Sequence, residues 1–261
     1  MAEATTIGLY SFPKSGNTWV RHILASLLGI DKANLGKYIP DSHRQGIVEH
    51  PIDFKGRTYY IYKSHYNKEL RRKAGIKFRN DLIIHIRRNP LDVFLSYLNY
   101  ISGNVTNSAP AKFKSVEDIL GTQLFEAYFH AWTLSGILQP NFQPAGNWFQ
   151  ANKFWLDQTE TKDKPAVVSI RYEDLFDQPV ETLSFLKDWF DVTDKDITQA
   201  LTNADAQTSQ DGKFFWRRKA NSFADMLSDE QIDFFLKCRG AEVEALGYPA
   251  SAFYPEVEKT A

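Results

Sequence analysis

An apolar, β-branched run, TTIGLYS at residues 5–11, stops abruptly in FPKSGNTW and passes into a helical pattern. This join constrains the fold more than any other feature. A short apolar run bounded by a turn signal reads as a buried strand. Residues 17–28 then carry apolar side chains at helical spacing, ending before Gly29, a C-terminal stop. RTYYIYKS (57–64) and DLIIHIR (81–87) read as a second and a third strand, and PAVVSIRY (165–172) as another. Pro90 occupies a first helical position, with LDVFLSYLNYI continuing the helix. Strands separated by helices imply a parallel sheet.

The remaining patterns are mostly helical. Residues 115–137 form a long helical pattern, 141–157 are read as helical, and VETLSFLKDWF and SDEQIDFFLKCRGAEVEAL are amphipathic helices. The last opens with a capping box at Ser228 and Gln231. Residues 202–215 are polar and contain Gly, and are expected to be a loop. No internal repeat is present. The expected architecture is a three-layer α/β/α domain over residues 1–261, around a central, mostly parallel sheet.

Composition narrows the class. Hydrophobic residues at 43% and charged residues at 24% are ordinary globular values. A net charge of −1 argues against a nucleic-acid coat. The one cysteine, Cys238, excludes an intramolecular disulfide framework and fits a reducing compartment. The N-terminus shows no basic segment followed by an apolar one, and no apolar run approaches the roughly 20 residues of a membrane span. A cytoplasmic protein is expected, with no nucleic-acid or membrane partner.

Parallel α/β sheets bind ligands beyond the C-terminal ends of their strands. FPKSGNTW lies at such an end and opens a helix, where N–H groups and the helix dipole favour an anion. Gly16 permits close backbone approach. Ser15, Asn17 and Thr18 add side-chain donors, and Lys14 adds a mobile point charge. Lys14 precedes the Gly, and no Gly lies five residues before Gly16, so the triphosphate loop G-x-x-x-x-G-K-[ST] is not matched. On the loop alone, a tight turn would equally explain Pro13, Gly16 and Asn17.

The stretch resembles the 5′-phosphosulfate loop of cytosolic-type sulfotransferases, Pro-Lys-Ser-Gly-Thr-Thr-Trp, with Asn17 in place of a Thr. The resemblance implies 3′-phosphoadenosine-5′-phosphosulfate (PAPS) as donor and the bisphosphate PAP as product. It continues along the chain in family order. RNPLDVFLS is similar to the 3′-phosphate motif Arg-Asn-Pro-x-Asp-x-x-x-Ser and implies that Arg88 and Ser96 hold that phosphate. KSH at Lys63, Ser64 and His65 resembles Lys-Thr-His, which implies His65 as general base and Lys63 as support for the transferring group. IRYEDL implies that Tyr172 contacts the adenine end, with Glu173 and Asp174 read as capping the next helix; Trp19 would pack on adenine. FFWRRKANSF resembles a C-terminal Arg-Lys-Gly segment, implying Trp216 near adenine and Arg218 and Lys219 at the 3′-phosphate. Ala220 departs from the family's Gly, and the usual Gly-x-x-Gly-x-x-Lys continuation is absent.

The expected reaction is in-line transfer of the sulfuryl group to a hydroxyl or amine of a small molecule. His65 would take the acceptor proton, and Lys14 would offset charge on the leaving phosphate oxygen. No His/Cys/Asp cluster has metal-ligand spacing, so no metal is expected. Tyr97, Tyr100, Phe142 and Trp148 are candidates for the acceptor pocket, each equally readable as core. Glu117, Asp118 and Glu126 would suit a cationic acceptor. His22 and His85 read as packed residues. A nucleotide-dependent kinase, a non-catalytic nucleotide-binding protein and a homodimer all stay open as alternatives.

Overall fold

The computed structural model describes residues 4–41, 50–65, 80–102, 113–137, 146–159, 165–209, 217 and 219–255. Its strands are β1 (Thr5–Ser11), β2 (Ile52–Phe54), β3 (Arg57–Ser64), β4 (Leu82–Arg87) and β5 (Ala166–Arg171). They form one sheet in the order β2–β3–β1–β4–β5. The three pairings among β3, β1, β4 and β5 are parallel. Only β2 is antiparallel, a short hairpin partner of β3 that the sequence reading did not anticipate.

The described helices are α1 (Asn17–Leu27), α2 (Leu35–Tyr38), α3 (Pro90–Ile101), α4 (Gln123–Ser135), α5 (Trp148–Thr159), α6 (Tyr172–Asp177), α7 (Pro179–Thr182), α8 (Leu186–Phe190), α9 (Asp194–Ser209) and α10 (Asp229–Ala245). Strand alternation divides the core. Ile7 and Leu9 of β1, with Leu82, Ile84 and Ile86 of β4, pack in one cluster with α1 and α9. Tyr10, Tyr62 and Ile83 face the other way and meet Trp155 of α5. A second large apolar cluster joins α3, α4, α5 and α10. Helices therefore cover both faces of the sheet, the α/β/α arrangement the patterns implied.

Several local expectations need correction. Residues 202–209 continue α9, because Ala204 and Thr208 are buried at helical spacing and its hydroxyls bond back to carbonyls four residues earlier. The long pattern at 115–137 yields a helix only from Gln123; Thr122 caps it, its hydroxyl accepting from the Phe125 N–H, and turns precede it. VETLSFLKDWF breaks into α7 and α8. The capping box at Ser228 and Gln231 forms as expected.

Candidate active site

The sheet register brings the separated motifs to one edge. β1 lies between β3 and β4, pairing Tyr10 with Ser64 and Ser11 with Ile86. The residues just past those tips, His65 and Arg88, therefore flank the loop that follows Ser11. β5 pairs Arg171 with Arg87, which sets Tyr172 beside Arg88. This is the crevice outside the carboxyl ends of the strands where such sheets take ligands.

In the first loop, Lys14 has φ 70° and Gly16 has φ 98°. A left-handed conformation costs a non-glycine residue about 1–2 kcal/mol. Strain of this kind gathers at functional sites. At Gly16 a side chain is also excluded by space: a Cβ would lie 2.5 Å from the Tyr172 ring. Gly16 caps α1 without any side-chain bond, and no acid stands in the first turn. The Trp19 and Val20 N–H groups turn back to the Gly16 carbonyl, at 2.9 and 3.3 Å. Asn17 and Thr18 contribute the orphan donors of the first turn. The Ser15 hydroxyl is fully buried and has no hydrogen-bond partner among the described residues.

The Lys14 ammonium sits 4.6 Å from the centre of the Tyr100 ring. Burial, then Arg88 and Lys63, lower its pKa to about 7. Tyr100 thus belongs to the site. Two of the other acceptor-pocket candidates pack into the core instead. Trp148 is fully buried against Phe149 and Tyr248, and Tyr97 lies in the helical core. Phe142 falls outside the described residues.

His65 is oriented by β1. Its Nδ1 lies 2.9 Å from the Ser11 carbonyl oxygen and 3.3 Å from Ser11 Oγ. A carbonyl only accepts, so Nδ1 carries the proton and Nε2 is the basic nitrogen of the neutral ring. Lys63 forms an ion pair with Asp41 at 3.0 Å, both side chains largely buried. Asp41 carries no motif and is 22 positions away in sequence, so nothing in the chain signalled it. His85, by contrast, is fully buried beside Ser169, and burial drives its imidazole down to about 3, a packed neutral ring. His22 is buried beside Gln207.

Arg88 is held on three sides. It donates to Asp92 at 3.2 Å and to the Lys219 carbonyl at 3.1 Å, and its guanidinium lies 4.2 Å from the Tyr172 ring centre. Burial pushes the Asp92 carboxyl up while Arg88 pulls against it. Asp92 also accepts the Phe223 N–H at 3.0 Å and so ties residues 219–223 to this corner. The Lys219 ammonium itself turns to Asp225 at 2.8 Å, and the segment reaches Arg88 through a backbone carbonyl. Ala220, where the family has Gly, is buried. Arg218 and Trp216 lie outside the described residues. Ser96 is half-buried on α3. The Trp19 and Tyr172 rings meet at 5.7 Å, and Trp19 Nε1 donates to Asp205 at 3.1 Å.

Glu173 and Asp174 do not cap α6, whose N-cap residue is Arg171 with no side-chain bond. The buried Glu173 instead accepts the Asn89 N–H at 2.8 Å and the Tyr248 hydroxyl at 3.3 Å, fixing the turn that carries Arg88. Asp174 pairs with Arg171. The acidic residues once suited to a cationic acceptor have local partners: Glu117 pairs with Arg217, Asp118 accepts the Ser115 N–H, and Glu126 accepts from Gln231. Among the described residues, no group of three His, Cys, Asp or Glu side chains could hold a metal, and no helix is long and apolar enough to cross a membrane.

Comparison with known proteins bears on the family and the fold. The sulfotransferase domain family matches residues 5–242. Among solved structures, the mouse sulfotransferase SULT7A1 complexed with PAP superposes with a TM-score of 0.61, at 17% identity, over 94% of this chain and 88% of that one. A putative steroid sulphotransferase from Arabidopsis thaliana gives 0.54 at 15% identity, over 95% and 80%. Retinol dehydratase in complex with retinol and PAP gives 0.57 at 12% identity, over 94% and 82%.

Proposed function

The chain belongs to the sulfotransferase domain family, and on that footing we propose that it transfers the sulfuryl group of PAPS to a hydroxyl or amine of a small-molecule acceptor. The observation that carries the reading is the convergence of Lys14, His65 and Arg88 at three adjacent strand tips, with His65 held as the Nδ1–H tautomer. The solved relatives that hold PAP, one of them together with retinol, support the donor and the acceptor class.

The residues suit such a donor. The buried Ser15 hydroxyl, unpartnered among the described residues, and the Asn17 and Thr18 N–H groups that open α1 are assigned to the 5′-phosphate. Arg88 offers a planar fork to a 3′-phosphate, with Ser96, Arg218 and Lys219 assigned to the same group. Tyr172 and Trp19 supply aromatic faces for adenine, and Trp216 is assigned beside them. PAPS, when bound, supplies a sulfuryl group already joined to a phosphate leaving group. His65 Nε2 takes the acceptor proton. Lys14 offsets the negative charge that develops at the loop. Lys63, held by Asp41, adds a positive field to the same corner.

Two measurements test this reading. Calorimetry should show PAP binding at least about tenfold more tightly than AMP, since Arg88 adds a charge-assisted contact; equal affinity would remove the donor assignment. With sulfur-labelled PAPS and a panel of phenols, alcohols and amines, His65→Ala should lower turnover about 10² to 10⁴-fold while PAP affinity stays within several-fold. Near-normal turnover in that variant would remove the base.

A further inference from the structure

The side chain at position 17 departs from the resembled loop, and its contacts point inward. Asn17 is buried, and its Nδ2 donates to Ser11 Oγ at 3.0 Å and to the Leu9 carbonyl at 3.4 Å. Swapping the amide would set Oδ1 against that carbonyl, two acceptors face to face, so the assignment follows from the partner. Both amide protons are thereby committed to β1. What remains is Oδ1, buried and unpartnered, an acceptor with nothing to offer a phosphate.

Ser11 Oγ, which receives the Asn17 proton, lies 3.3 Å from His65 Nδ1, and the Ser11 carbonyl lies 2.9 Å from the same nitrogen. We propose that the Asn17 side chain positions His65, acting through the Ser11 hydroxyl, and is not itself a ligand of the donor's phosphate, which leaves the Asn17 backbone N–H to the phosphate loop. This rests on the reading of His65 as the base. The Asn17 N–H occupies one lone pair of Ser11 Oγ and so restricts the hydroxyl rotor, favouring the orientation in which the second lone pair, not the proton, faces Nδ1. Without it, the hydroxyl is released to turn and donate to Nδ1, competing with the tautomer that places the basic lone pair on Nε2. Polar residues that fix a catalytic imidazole in this way act by orientation and tautomer, not by contact with substrate.

The test uses the full chain and three variants: Asn17→Leu, Ser11→Ala and the two combined. Nitrogen NMR of the His65 ring, recorded about two pH units above the ordinary imidazole pKa of about 6.5, reads the tautomer without turnover. The native chain should show Nδ1–H. Asn17→Leu should show a mixture and lose about 3- to 10-fold in kcat, the scale of one hydrogen bond, with the PAP Kd changed less than about 2-fold. In the Ser11→Ala background the hydroxyl is gone while the carbonyl still accepts from Nδ1–H, so adding Asn17→Leu should change neither tautomer nor kcat further. An unchanged tautomer in Asn17→Leu, a PAP Kd that weakens as much as kcat falls, or an Asn17→Leu effect that persists in Ser11→Ala would overturn the proposal. Asn17→Ala serves the same comparisons if the Leu side chain prevents folding. A lost tautomer with unchanged turnover would sustain the positioning role while removing His65 as the base.

Discussion

Two strand-to-helix joins flank the crevice, and they make an anion site by opposite means. At the β1–α1 join the helix begins on a glycine with no side-chain cap and no acid, beside a buried Ser15 hydroxyl unpartnered among the described residues and a lysine whose charged form is disfavoured. At the β4–α3 join the protein satisfies its own helix end. Asn89 caps the Leu91 N–H at 2.9 Å, Pro90 needs no partner, and Asp92 faces Arg88. Glu173 and Asp92 then bind that turn to residues 219–223 and to Tyr248. The first join is left electrostatically unfinished, as the proposed donor phosphate would require. At the second the helix end is capped from within, and what it presents is a guanidinium held by the buried Asp92, with Arg88 Nε and Asn89 Nδ2 unpartnered among the described residues.

The largest effect that separates the two should come from Asp92→Asn. Losing one partner of a buried ion pair costs about 3–5 kcal/mol, because the other charge stays buried without compensation. Chemical denaturation should show that loss in the ligand-free protein, and PAP should recover part of it by supplying Arg88 with a new anion. A variant as stable as the native chain would mean that the second join is not internally balanced. Lys14→Met tests the first join and should behave in reverse. Turnover should fall about 10² to 10³-fold, the scale of one oxyanion-stabilising group. The ligand-free protein should be no less stable, since a disfavoured charge has been removed. A clear drop in denaturation midpoint would show that Lys14 contributes to the fold after all.

The first join was legible in the sequence because its chemistry is local. Strand, Pro-Lys-Ser-Gly and helix are contiguous, and a single glycine conformation orients them. The order of strands was not legible, yet it decides that His65, Lys14 and Arg88 meet. The second join was half legible. Arg88 and Ser96 came from the resemblance, whereas the roles of Asp92, Glu173 and Tyr248 depend on partners 75 to 131 positions apart. Trp148 and Tyr97 misled for a related reason. An aromatic side chain in a helix reads alike whether it faces a pocket or a core, and here both face the core. Asn17 misled through direction: its residue type names a donor, and only the fold shows that the donor turns towards β1.

The smallest and most specific effect concerns protons. In the ligand-free protein burial, then Arg88 and Lys63, bring the Lys14 pKa from 10.5 to about 7. A bound 5′-phosphate favours the charged form and moves the pKa back up. Between those two values the complex therefore holds a proton that the free protein lacks, and binding must take it up. Calorimetry of PAP binding in buffers of different ionisation heat should find uptake approaching about one proton near pH 8.5, falling towards zero below about pH 6 where Lys14 is already charged. Affinity should weaken by up to about tenfold per pH unit above about 7. PAP phosphates titrate near pH 6, so the window above about 7.5 isolates the protein. Lys14→Met should abolish the uptake there, and Asp92→Asn, which belongs to the other join, should leave it in place. Uptake that survives the loss of Lys14 would assign the missing proton to another group and erase the electrostatic contrast between the two joins.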